Sequence, residues 1–118
     1  MRPGPHLLGD DGSASVIGCA VMAGLIAITA ALLHVGSVVA ARHRAQAAAD
    51  LAAVAVASAL DRGIVRACEA SEPITMRMRV RLRRCEIDEW DAVVEVSTAV
   101  SALFGGKEAT AVARAGPA

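Results

Sequence analysis

The side chains able to do chemistry are few and scattered. His6, His34 and His43 are far apart, and no Cys/His cluster has the spacing of zinc ligands. No serine has a nucleophile elbow or an adjacent base. No glycine-rich phosphate loop precedes a helix. The sequence points away from an enzyme and away from any cofactor or metal. Sulfur and charge remain. Cys19 lies in an apolar stretch, where a thiol behaves as a small hydrophobe. Val16-Ile17-Gly18-Cys19 matches a lipoprotein-signal pattern by letter, but the apolar run follows the cysteine instead of preceding it. Cys68 and Cys85 lie in a polar setting. They read as a disulfide if that region is extracytoplasmic, and as two free thiols if it is cytosolic. A bridge closing a loop of that size contributes about 3 kcal/mol in the chain-entropy view.

Charge is balanced overall, with 12 basic and 12 acidic residues, so the whole-protein field gives no reason to expect a polyanion partner. Locally it is not. Arg77, Arg79, Arg81, Arg83 and Arg84 fall close together, followed by Glu86, Asp88, Glu89, Asp91 and Glu95. A nucleic-acid face is one reading. Cross-strand pairing of matched cations and anions is the other. With one Phe, one Trp and no Tyr, stacking platforms for bases are nearly absent. No nucleic-acid partner is expected.

These residues must be positioned by elements, and the dominant one is an apolar-to-amphipathic stretch. Between Ser13 and Ala41 there is no Asp, Glu, Lys or Arg. About 20 apolar residues suffice to cross a bilayer. As a helix this segment measures about 42 Å, longer than the hydrocarbon core, so tilt or an emergent end is expected. His34 is its one ionisable group besides the Cys19 thiol, and near the interface a neutral imidazole is tolerable. Ala20, Gly24, Ala27 and Ala31 bring small residues to one helical face, as close helix packing requires. The abundance of Ala accounts for the same pattern without a partner. The Gly- and Pro-rich start, residues 1–12, reads as a polar, loosely held leader.

Arg42, His43 and Arg44 mark the end of the span. No Gly or Pro interrupts the chain from Ser37 to Arg62, and Ala is the best helix former. The helix is expected to continue to Arg62, about 70 Å in all, with Gly63 as its stop. Ala53, Val56 and Leu60 form a stripe on it. Beyond Pro73 the period changes to two. Ile74, Met76, Met78, Val80 and Leu82 alternate with Thr75, Arg77, Arg79, Arg81 and Arg83, which predicts a strand. Cys85 to Glu89 is the expected turn. Ala92, Val94, Val96, Thr98 and Val100 predict a second strand, Phe104 to Lys107 a turn, and Thr110 to Arg114 a short third strand. The expected fold is α+β: a long N-terminal helix followed by a small antiparallel β meander, whose apolar face the helix stripe covers.

The order of parts resembles a type IV pilin. More specifically, Gly9-Asp10-Asp11-Gly12-Ser13-Ala14-Ser15-Val16, the block Arg42-His43-Arg44-Ala45-Gln46-Ala47-Ala48-Ala49-Asp50-Leu51-Ala52-Ala53, and the ending Ala113-Arg114-Ala115-Gly116-Pro117 resemble the bacterial Flp/Tad pilus-assembly TadE/G-like proteins. The resemblance extends over nearly the whole chain. It implies a non-enzymatic, single-pass, pilin-like protein of the cell membrane that serves a pilus-assembly or secretion machine. Its partners would be membrane lipid and other pilin-like or secretion-system membrane proteins. The implied division is a leader at 1–12, a transmembrane helix at 13–41, an emergent helix at 42–63 and an extracytoplasmic β domain at 64–118. Prepilin-type cleavage would fall between Gly12 and Ser13. Ile17 departs from the pattern, because such pilins usually carry Glu five residues into the mature chain. The resemblance also implies a cysteine pair at Cys68 and Cys85. The charges flanking the span, Arg2 before it and Arg42 and Arg44 after, weakly favour the opposite orientation. The alternative function is a membrane-anchored extracytoplasmic adaptor or binding domain unrelated to pili.

Overall fold

The computed structural model describes residues 5–100 and 106–117, with side chains from Gly12 onward. The fold is α+β, with a long apolar helix preceding a three-stranded antiparallel sheet. The chain forms two units, Met1–Val35 and Gly36–Ala118.

Helix α1 (Pro5–Ser58) runs through the described part of the first unit and opens the second. It begins inside the stretch expected to be a loose leader. Proline needs no N–H at the first helical position, so Pro5 is a favourable start. Gly9 and Gly12 each cost about 1 kcal/mol against Ala, and a long cooperative helix propagates through them. From Gly12 to Leu33 every residue is exposed, large aliphatics included. Thr29 Oγ1 donates to the Leu25 carbonyl at 2.8 Å, so the one hydroxyl in the middle of the run is satisfied within the helix.

In the second unit α1 buries a face made almost wholly of alanine: Ala45, Ala48, Ala49, Ala52, Ala53 and Val56, with Ala59 just past its end. Steps of three and four keep these residues on one side of a 3.6-residue helix. Of the expected stripe, Ala53 and Val56 are buried and Leu60 is half-buried, while Leu51 and Val54 face outward. The helix ends at Ser58, short of the expected Arg62, and tightens into a 3-10 turn at Leu60–Arg62. Gly63 is not the left-handed cap the sequence suggested. Its φ of 98° and ψ of 156° lie in a region open essentially to glycine alone. It turns the chain into α2 (Ile64–Glu69).

Residues 72–78 form helix α3 (Glu72–Met78) instead of the first half of a strand. The alternation there is deceptive. Ser71, Ile74, Thr75 and Met78 are the sheltered residues, a helical set, whereas Met76 is 71% exposed. Pro73 sits in the first turn of the helix, where it is tolerated. Arg79 closes α3 in the left-handed conformation, with φ 55° and ψ 45°. The Arg79 N–H donates to the Met76 carbonyl and the Val80 N–H to the Thr75 carbonyl, the paired bonds of a Schellman stop.

The sheet follows in the order β1 (Arg81–Asp88), β2 (Asp91–Ala99), β3 (Glu108–Ala115), all antiparallel. The segment expected as a turn, Cys85 to Glu89, is mostly strand, and the turn is only Glu89–Trp90. Glu89 takes φ 58°, the positive value a two-residue hairpin needs at its first central position. The second strand stands where the period-two pattern put it. The third is longer than expected at both ends. Phe104 and Gly105 of the expected second turn lie outside the described residues. Ala92, Val94, Val96, Ala111 and Ala113 turn inward and join the alanine face of α1 in one core. Ala67 and Val80 complete it, with Cys85, Ile87, Ile74 and Met78 packed at its margin. Trp90 is 75% exposed and takes no part.

Candidate functional site

The first surface is the apolar helix itself. Leu25, Ile26, Leu32 and Leu33 stand clear of any protein neighbour. The helix Gly12–Ser58 contains a window of mean hydropathy 2.5, long and apolar enough to cross a membrane. Ala20, Gly24, Ala27 and Ala31 lie on one exposed face, and a Cβ added at Gly24 meets nothing. Gly12 and Ser13 are both exposed and helical. Ile17 is exposed as well. Cys19 is an exposed free thiol on the same helix.

The second surface is the outer face of the sheet. A disulfide joins Cys68, in α2, to Cys85, in β1, with their Cα atoms 6.0 Å apart. Beside it the arginines are only partly where the period-two reading put them. Arg77 belongs to α3 and Arg79 to its end. Arg84 pairs with Glu95 across β1 and β2 at 3.5 Å, as cross-strand pairing requires. Arg81 and Arg83 bind neither Glu86 nor Asp88. They reach Glu108 on β3, and Arg83 Nε also donates to Ser97 Oγ at 3.0 Å on the way. A bulge between Leu82 and Arg84 leaves Arg83 without a partner residue on β2, which frees its side chain to cross that strand.

At the other end the polarity reverses. Arg114 on β3 donates to Asp91 on β2 at 2.6 Å and to Asp88 on β1 at 2.7 Å. Its guanidinium is held above the ordinary arginine value, by the Asp91 hydrogen bond first and the Asp88 hydrogen bond second. A raised folded-state value means that breaking the pairing by deprotonating Arg114 takes strong alkali. Arg114 and Glu108 were not read as partners from the sequence. The signal was present, because they sit on the polar side of the β3 alternation. Their reach across β2 is a property of the assembled sheet.

Two clefts lie between α1 and β3 within the second unit. One, of about 530 Å³, is polar and lined by Val39, Arg42, His43, Gln46, Glu108, Ala109, Thr110 and Ala111. The other, of about 430 Å³, is largely apolar and includes Val54, Leu60, Trp90 and Pro117. Together they fix a direction: β3 starts beside Arg42–Gln46 and ends beside Val54–Leu60. Among the described residues no group of three or more His, Cys, Asp and Glu side chains could hold a metal ion.

A relative in Mycobacterium tuberculosis, the apoptosis inhibitor Rv3654c, is 49% identical over 53 residues, which is 45% of this chain and 63% of that protein. The match therefore spans less than two thirds of the relative's length. No solved structure matches. Residues 12–59 match the family model described as Flp pilus-assembly TadE/G-like. That region ends with α1 and leaves out the C-terminal Ala113-Arg114-Ala115-Gly116-Pro117. Along the apolar helix and its alanine-faced continuation, this chain is thus similar to the pilus-assembly TadE/G-like proteins.

Proposed function

We propose that this chain is a non-enzymatic, single-pass, pilin-like component of a pilus-assembly or secretion machine. Residues 13–41 lie in the bilayer, and residues 42–118 lie outside the cytoplasm. The observation that carries this reading is the apolar helix, whose large aliphatic side chains have no protein cover. An exposed apolar surface of that extent needs lipid or other apolar helices. The face of Ala20, Gly24, Ala27 and Ala31 is where a neighbouring helix packs. The disulfide supports the outward orientation, because such bonds persist in oxidising compartments and are rare in the cytosol. It outweighs the small excess of positive charge after the span. Cleavage between Gly12 and Ser13 would release a leader and make Ile17 the fifth residue of the mature chain. Partners are membrane lipid and the other pilin-like or secretion-system membrane proteins.

A periplasm-active reporter fused after Ala118 tests the orientation. Activity is expected outside the cytoplasm, and activity confined to the cytoplasm would sink the proposal. N-terminal sequencing of the membrane-extracted protein tests processing, with Ser13 expected first. An intact leader on a correctly oriented protein would favour the second reading, a membrane-anchored extracytoplasmic adaptor.

A further inference from the structure

We infer that the polar cleft between α1 and the start of β3 is a binding site for the phosphate of an anionic phospholipid headgroup. The inference rests on the reading of residues 13–41 as the membrane span. Arg42 directly follows that span, so the cleft walls from Val39 to Gln46 sit at headgroup depth by helical rise, whichever leaflet they meet. One wall offers the Arg42 guanidinium, the His43 imidazole and the Gln46 amide, and the facing wall offers the Thr110 hydroxyl. Donors of this kind suit a phosphate diester, which presents only acceptors and one negative charge. Arginine suits it best, through its planar fork.

The cleft also contains a carboxylate. Glu108 already has cationic partners on its far side, where Arg83 contacts it and Arg81 lies 3.9 Å away. Asp50, one helical turn beyond, is engaged by the Gln46 amide at 2.9 Å. Arg42 and His43 themselves are exposed and make no ion pair among the described residues. A phosphate would therefore meet the Arg42 guanidinium and carboxylates that already have partners. Val39 at the cleft edge is apolar and exposed, which gives the first acyl carbons a surface to lie against. The opposite cleft, with Val54, Leu60, Trp90 and Pro117, is lined by no cationic side chain.

The full chain in phosphocholine micelles, with the backbone amides followed by NMR, provides the test. Short-chain phosphatidylglycerol, short-chain phosphatidylcholine and free glycerol 3-phosphate are titrated in turn. Phosphatidylglycerol is expected to shift the amides of residues 42–46 and 109–111 and to leave those of 54–60 and 115–117 in place. The Arg42→Gln and His43→Gln variants, each exposed and so expected to keep the sheet's spectrum, should weaken that response roughly tenfold together. Arg62→Gln, an exposed cation away from the cleft, should leave it unchanged. An equal response to phosphatidylcholine, or an undiminished response in the double variant, overturns the site. An equal response to glycerol 3-phosphate overturns the lipid assignment in favour of a soluble phosphate. Micelles have no sidedness, so a cytoplasmic C-terminus would refute the proposed orientation and leave this result standing. A chain that stays soluble without detergent would refute the membrane reading itself.

Discussion

Two stretches of α1, 12–35 and 36–58, are both alanine-rich and both helical, yet they are built by opposite rules. In the first, the large aliphatic side chains are spread around the helix and all are exposed. In the second, the large residues Leu51 and Val54 are pushed outward, and the buried face is alanine with one valine. The first surface suits a solvent of hydrocarbon, which has no shape to match and rewards apolar area on every side. The second suits a protein partner, whose interior is close-packed and responds to single methylenes. Hydrophobicity alone does not separate the two. What separates them is whether side-chain size varies around the helix.

That contrast breaks most severely at the clamp on the second unit. Replacing Cys68 and Cys85 together by Ser should cost about 3 kcal/mol in the chain-entropy view, read as a large fall in the denaturation midpoint of the extracted protein. The same exchange at Cys19 should leave the midpoint unmoved. The next effect concerns volume. Ala52 is fully buried, so Ala52→Leu should destabilise by about 1–3 kcal/mol. Ala27→Leu, on the exposed apolar segment, should leave the midpoint within about 0.5 kcal/mol. Equal losses from the two would dissolve the distinction between exposed and protein-packed helix. The smallest effect concerns glycine. Gly63→Ala should cost about 1–2 kcal/mol through backbone strain alone, since a Cβ there meets no neighbour. Gly24→Ala, in regular helix with open space around it, should be neutral or slightly stabilising. Paired thermal melts read both.

The sequence carried the fold class because its two strongest signals were physical necessities. A long run without charge needs apolar surroundings, and a period of two from Ala92 to Thr98 suits a half-buried strand. It carried less about the packing. Alanine is compatible with exposure and burial alike, so the face from Ala45 to Ala59 was visible only as the shorter stripe of Ala53, Val56 and Leu60. The stretch from Ile74 to Met78 was misread because Ile74 and Met78, four apart, satisfy both a period of two and a helical period. Only the exposed Met76 distinguishes them, and exposure is not written in the residue. The turn expected at Cys85 to Glu89 failed for a related reason. Acidic residues on a strand's outer face look like a loop until Arg84 and Arg114 are brought beside them. Arg42 and His43 could be recognised as the end of the apolar run. The wall they face, Glu108 to Ala111, depended on which way β3 runs along the helix.

The Cys68–Cys85 bridge has a mechanical meaning. It joins positions 17 residues apart in sequence across a Cα–Cα gap of 6.0 Å. Fully drawn out, that segment would add about 60 Å of contour. Under tension between the two ends of the chain, load passes from α2 to β1 through sulfur. The helix α3 and the left-handed Arg79 stop then lie on a slack side branch. A pull strong enough to separate the sheet from α1 would still find roughly 50 Å of chain locked away, and reduction would release it as a single step in a force–extension trace.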